Sequence, residues 1–357
     1  MTRRTLHCLF VLLSSALAFA AHAQGVGLSK IETREPTTAT TVPAVVMYPS
    51  SEAKADATTD IGGGSYTVAA ANEAAIADGK FPLIVLSHGH GGSKYGHHDL
   101  ASELARHGYI VAMPQHVGDS FDDLSGAGTD RALLGRAWQA SAVISAMLKD
   151  PRFGPHIDAD KIGSAGFSAG GYTTLLLLGA KPDFDLFPAF CKKYPGAPEL
   201  CDRPLPTPEQ VRSIANPPPT ADPRVRAGFS MAPFSILFDE NSLKSVNAPV
   251  FLYIAEKDTV LTPSENGLRI RPLLPNLYEF AEVPEAGHYV FLPPCSVGMA
   301  KDVPLICSDA PGIDRAKIHE KVNADAVRFF DAQFKSGQKA ATDAKPAATT
   351  GQMKKEL

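Results

Sequence analysis

The sequence predicts an α/β fold, a mainly parallel sheet with helices on both faces and a Pro-rich insertion after one of the central helices. Three observations carry this. Short, continuously apolar runs recur along the chain, as expected of strands buried on both faces of a parallel sheet. Segments with helical periodicity separate them. One of the runs ends in a Gly-rich turn that opens directly into a helix.

The elements follow in order. Residues 24–80 are rich in Ala, Thr and Gly, with one strand-like run at 42–48 and a turn at 61–64. Residues 83–86 (Leu-Ile-Val-Leu) form the first buried strand. A helix is expected around 99–107, and a strand at 109–113 that stops at Pro114. Residues 130–149 read as one long helix with Ala137, Ala140, Ile144, Met147 and Leu148 on a common face. Residues 161–165 form a strand leading into Gly166, and 172–178 a helix. Residues 181–222 are dense in Pro, charge and aromatics and read as an excursion over the sheet. Strands return at 225–231, 250–255 and near 278–283, and an amphipathic helix closes the domain at 315–334.

Composition bounds the possibilities. The chain has 357 residues, 44% hydrophobic and 20% charged, which supports a large core. The formal net charge is −4, and the central region has no basic block, so nucleic acid is not an expected partner. Residues 1–23 read as a signal peptide: Arg3 and Arg4 precede an apolar core at 9–21, and Ala21-His22-Ala23 offers a cleavage site before Gln24. The mature domain is then 24–335, exported to the periplasm or secreted, with no stable membrane insertion. Residues 336–357 lack periodicity and are expected to be a disordered tail. Four cysteines remain after cleavage, an even number in an exported chain, which suggests disulfides. Of the three possible pairings, the local one joins Cys191 to Cys201 and Cys295 to Cys307.

The chemistry concentrates in a few places. Gly166-Phe167-Ser168-Ala169-Gly170 is a G-x-S-x-G pentapeptide between a buried strand and a helix, the context of a serine nucleophile on a sharp turn. Such a serine needs a base. Downstream only His288 and His319 are available, and His288 lies in a loop just past a strand, whereas His319 falls in the last helix and reads as a surface residue. The acid that orients the base should follow a strand, and Asp258 does. Asp239 and Glu256 are its rivals. An oxyanion hole would take one main-chain N–H from Ala169 and another from the His88-Gly89-His90-Gly91-Gly92 loop, with His90 the chosen donor. His88, His90, His97, His98, His107 and His116 fall close together, but not at the spacing of a closed zinc site, so no metal and no cofactor is expected.

Residues 81–92, FPLIVLSHGHGG, together with 104–112, 166–172, Ala286-Gly287-His288 and 319–330, resemble bacterial predicted dienelactone hydrolases of the α/β-hydrolase superfamily. That group is related to platelet-activating-factor acetylhydrolases and to cutinase-like polyester hydrolases. The resemblance spans roughly residues 40–334. It implies an α/β-hydrolase fold and ester hydrolysis by Ser168, His288 and Asp258 on a small-molecule ester. Two departures bear on substrate. Acetylhydrolases of the platelet-activating-factor type take their acid from the strand after the nucleophile helix, and Gly228-Phe229-Ser230-Met231-Ala232-Pro233 holds none. True dienelactone hydrolases use a cysteine where this chain has Ser168. An amidase or peptidase using the same triad, and a non-catalytic binding protein on the same scaffold, are the alternative readings.

Overall fold

The computed structural model describes residues 25–54, 57–194, 201 and 213–335. The expected signal peptide, the expected tail and the centre of the Pro-rich insertion lie outside the described residues.

In chain order the strands are β1 (Gly25–Glu35), β2 (Thr40–Ser50), β3 (Thr59–Ile61), β4 (Tyr66–Val68), β5 (Ala71–Asn72), β6 (Phe81–Ser87), β7 (Ile110–Pro114), β8 (Ile157–Phe167), β9 (Val225–Met231), β10 (Val250–Ala255) and β11 (Leu277–Val283). The helices are α1 (His98–Arg106), α2 (Asp130–Leu133), α3 (Gly135–Lys149), α4 (Ala169–Leu177), α5 (Leu186–Lys193), α6 (Glu240–Leu243), α7 (Gly267–Ile270), α8 (Val297–Asp302), α9 (Pro304–Cys307) and α10 (Arg315–Phe334). Nine strands form one sheet in the order β11-β10-β9-β8-β6-β7-β2-β1-β5. The run from β11 to β7 is parallel throughout, and β2 and β1 extend it as antiparallel strands.

Alternation along the central strands divides the core. Ile84 and Leu86 face one layer, built on α1 and α10, with Phe229, Phe251, Tyr253, Phe329 and Phe330. Leu83 and Val85 face the other, built on α3 and α4, with Ala137, Ile144, Leu175 and Leu176. A parallel sheet covered on both faces needs apolar residues at every position, and 81–87 and 250–255 supply them.

The structure departs from the sequence expectations at several places, the short strands β3, β4 and β5 among them. β1 was not expected. Its exposed half, from Lys30, carries Lys, Glu and Arg because it pairs only near the sheet edge, and charge hides the strand pattern. The expected helix at 130–149 is two helices, α2 and α3, broken at Leu134, and Leu148 is only partly buried. His319 is not a surface residue. It is buried at 6% exposure between α10 and α1, where the half-buried Asp99 carboxylate partners its ring.

Among the described residues, no helix is long and apolar enough to cross a membrane. Disulfides join Cys191 to Cys201 and Cys295 to Cys307, with Cα separations of 5.5 and 5.7 Å.

Candidate active site

The site is built at the C-terminal ends of the parallel strands, where an open α/β sheet places its ligand. β8 delivers Ser168 on a strained turn. Its φ is +57° and its ψ −117°, a conformation that non-glycine residues rarely adopt. The turn closes only because of its glycines. A Cβ on Gly166 would collide with the main chain of Gly170, and one on Gly170 would collide with the carbonyl of Ser87. The Ser168 N–H donates to Met231 O at 2.9 Å, and Ser168 O accepts from Phe234 N at 3.1 Å, so β9 and the segment after it fix the turn from the side.

β10 delivers the acid and the turn after β11 delivers the base. His288 opens a 3-10 turn, His288–Phe291. Its Nδ1–H donates to Asp258 Oδ2 at 2.6 Å, and its Nε2 lies 3.0 Å from Ser168 Oγ. A carboxylate only accepts, so the ring proton sits on Nδ1 and Nε2 is left bare to accept from the serine hydroxyl. The other carboxylate oxygen, Oδ1 of Asp258, accepts from Val260 N at 2.9 Å and Leu261 N at 2.6 Å, which holds the acid in place. All three residues are buried. Phe167 packs its ring 4.6 Å from that of His288.

The two rival acids have other partners. Asp239 caps α6 by accepting from Ser242 N at 2.7 Å. Glu256 accepts from Glu285 N and pairs with Lys257.

The loop at 88–92 passes directly beside the nucleophile. A Cβ on Gly89 would lie 3.4 Å from Ser168 Cβ. Ala169 is the first residue of α4, so its N–H has no acceptor within the helix. The His90 side chain turns to Asp119, its Nδ1 against Oδ1, and stays half-exposed.

Two residues that the sequence reading did not single out fasten this loop. Arg136, on α3, is fully buried. Its guanidinium donates to His88 O, to Asp119 Oδ2 at 2.7 Å and to Thr173 Oγ1 at 3.1 Å. It therefore ties the loop, the segment carrying Asp119 and α4 together. A lone Arg within an apolar helical face was the available signal, because a buried guanidinium must be paired.

The clustered histidines are held apart by individual partners. His88 accepts from His116 N through Nε2 at 3.0 Å and donates to Gly89 O from Nδ1 at 2.7 Å. Burial and the Arg136 charge push its pKa down to about 3. His116 lies against Ser87 Oγ and Gln139 Oε1, and burial, with Arg136 and His88, pushes it well below its ordinary value. Among the described residues, no group of three or more His, Cys, Asp or Glu side chains could hold a metal ion.

Among the described residues of the insertion, α5 lies nearest the nucleophile turn by its ring contact to Phe234. Phe184 and Phe187 pack against the core, and the Phe187 ring lies 6.4 Å from Phe234, whose N–H holds Ser168 O. The Phe190 and Tyr194 rings lie 5.1 Å apart, tilted by 42°, and the Tyr194 hydroxyl meets Glu265.

Comparison with known proteins adds to this geometry. The family described as platelet-activating factor acetylhydrolase, isoform II, matches residues 47–122, from within β2 through the 88–92 loop, α1 and β7. A search of proteins of curated function finds no match. Among solved structures, a ferulic acid esterase from Streptomyces cinnamoneus aligns with a TM-score of 0.60 at 20% identity, covering 93% of this chain and 96% of that one. A candidate dipeptidyl aminopeptidase IV from Bacteroides ovatus aligns over 87% of this chain and 36% of its own, at 14% identity and a TM-score of 0.48, too low to carry an argument. The chain therefore has the α/β-hydrolase fold and, over residues 47–122, is similar to the platelet-activating factor acetylhydrolase isoform II family.

Proposed function

We propose that this chain is a serine hydrolase that cleaves a carboxylic ester through an acyl-enzyme. The carrying observation is the buried chain Asp258–His288–Ser168, with contacts of 2.6 and 3.0 Å, on a strained turn. Ser168 attacks the acyl carbon while His288 Nε2 takes its proton, and Asp258 stabilises the imidazolium. The N–H groups of Ala169 and His90 receive the oxyanion. His288 then protonates the leaving alcohol, and water drawn through the same base releases the acid. The two disulfides support export to an oxidising compartment.

Short acyl groups are the preferred substrates. The support is α5, whose Phe187 ring lies 6.4 Å from that of Phe234, the residue whose N–H holds Ser168 O. A fitted pocket discriminates by about 1–3 kcal/mol per methylene. The kcat/KM series for nitrophenyl esters from acetyl to decanoyl, run beside a nitroanilide, tests this. A fall with chain length and a negligible anilide rate are expected. A profile flat or rising toward long chains overturns the short-acyl preference, and a dominant anilide rate overturns the ester reading.

A further inference from the structure

His319, which is buried, and Asp99, which is half-buried, form a second acid–imidazole pair, 220 residues apart in sequence, and it ends on the turn that carries His288. His319 Nδ1 lies 2.5 Å from Asp99 Oδ2, and Nε2 lies 2.9 Å from the carbonyl oxygen of Val290, the third residue of the His288–Phe291 turn. That carbonyl can only accept, so Nε2–H donates to it. Asn323, one helical turn along α10 from His319, donates to the same carboxylate oxygen at 3.1 Å. Asp99 is thereby held on α1 by two side chains of α10. Burial would raise its pKa, but the His319 charge and hydrogen bond, with His98 and Asn323, outweigh burial and keep it ionised.

The turn itself is short and closed. Val290 N donates to Gly287 O at 3.2 Å, and Leu292 N to Tyr289 O at 3.0 Å. A displacement of Val290 O therefore moves the main chain that sets the His288 ring. That ring must satisfy two contacts at once, 2.6 Å to Asp258 and 3.0 Å to Ser168. Side-chain misplacement of about 1 Å at a reacting group costs on the order of a hundredfold in rate. An apolar pair would fill the α1–α10 interface without desolvating a carboxylate. The polar pair is explained by what it grips.

We infer that the Asp99–His319 pair, through its hydrogen bond to Val290 O, is a positioning device that fixes the His288 turn in register with Ser168 and Asp258. This rests on the serine-hydrolase reading for its effect on rate, but not for its effect on the His288 ring.

The test uses the full chain and three variants: His319→Phe, which keeps bulk and removes both ring nitrogens, His319→Gln, which keeps one donor able to reach Val290 O, and Asp99→Asn. Three quantities are read: kcat and KM on nitrophenyl acetate, the downfield proton resonance of the His288–Asp258 hydrogen bond, and Tm. His319→Phe should lower kcat by about tenfold or more with KM within about twofold, and should shift or broaden the resonance. His319→Gln should recover a large part of kcat, and Asp99→Asn should fall between. Should His319→Phe not fold, the other two carry the comparison. The inference is overturned if kcat and the resonance stay at wild-type values in all folded variants. It is equally overturned if kcat losses simply follow Tm, with Gln no better than Phe. A wild-type chain with no esterase turnover, whose resonance nonetheless moves on substitution, would sink the hydrolase reading and leave the positioning role standing.

Discussion

Arg136 donates from inside the fold to the carbonyl oxygen of His88, two residues before the expected oxyanion donor His90, while pairing with Asp119, which holds the His90 ring. One buried ion pair thus grips the loop on both sides of Gly89. Arg136→Met should leave Asp119 buried without its cation and cost about 3–5 kcal/mol in stability. Arg136→Met with Asp119→Asn should recover part of that loss, because no unpaired charge remains. Urea titrations of the single and double variants check this. A double variant no more stable than Arg136→Met would mean that the loss is one of packing, not of charge.

Asp258 and Asp239 separate by role. Asp258→Asn should reduce kcat by about 10⁴-fold by destroying the tautomer that leaves Nε2 free. Asp239→Ala should cost about 0.5–2 kcal/mol of stability through the lost α6 cap and leave kcat unchanged. Steady-state kinetics beside thermal melts distinguish them, and an inactive Asp239 variant of normal stability would reassign the acid.

Much of this site was legible before the fold. Chain order and a strand's end sufficed to single out Ser168, Asp258 and His288, which the fold brings within hydrogen-bonding distance, because this architecture projects such groups from strand ends and apolar runs mark those ends. Asp119 and Asp99 were not legible, and Arg136 showed only as a lone charge on an apolar helical face, with nothing to say what it pairs with. Each acts through a partner distant in sequence, and neither periodicity nor motif reports that kind of pairing. His319 misled for the same reason: a histidine among charged neighbours on an amphipathic helix reads as solvated until its partner Asp99 on α1 is seen. β1 was missed because its second half, beyond the two residues that pair with β5, has a neighbour on one side only and tolerates the charge that a central strand excludes. The single helix expected at 130–149 failed at Leu134, where no Gly or Pro announces the break.

Acid should destabilise the fold before its carboxylates titrate. His88 is pushed down to about 3 by burial and the Arg136 charge, His97 to about 4 by burial with His319 and His98, and His116 well below its ordinary value. An unfolded histidine titrates near 6.5. The unfolded chain therefore binds more protons than the folded one as pH falls below about 6.5, so stability declines with falling pH down to about 4. Each group contributes up to about 1.4 kcal/mol per pH unit. Asp119 is held below the ordinary carboxylate range by Arg136 and His90, against the opposing effect of burial, so it stays ionised across this window. Calorimetric Tm should drop steeply between pH 6.5 and about 4.5, less so after His88→Gln. A Tm constant over that range would mean that the buried rings accept protons without penalty.

The central claim is that Ser168 is a nucleophile activated by His288. A fluorophosphonate forms a covalent bond only with such a serine. Incubation of the full chain, followed by peptide mass mapping, should place one adduct per molecule on the peptide containing Ser168, with labelling lost in Ser168→Ala and slowed by orders of magnitude in His288→Ala. Both variants should melt close to wild type. An unlabelled wild-type chain, or an adduct that persists in Ser168→Ala, would contradict the account.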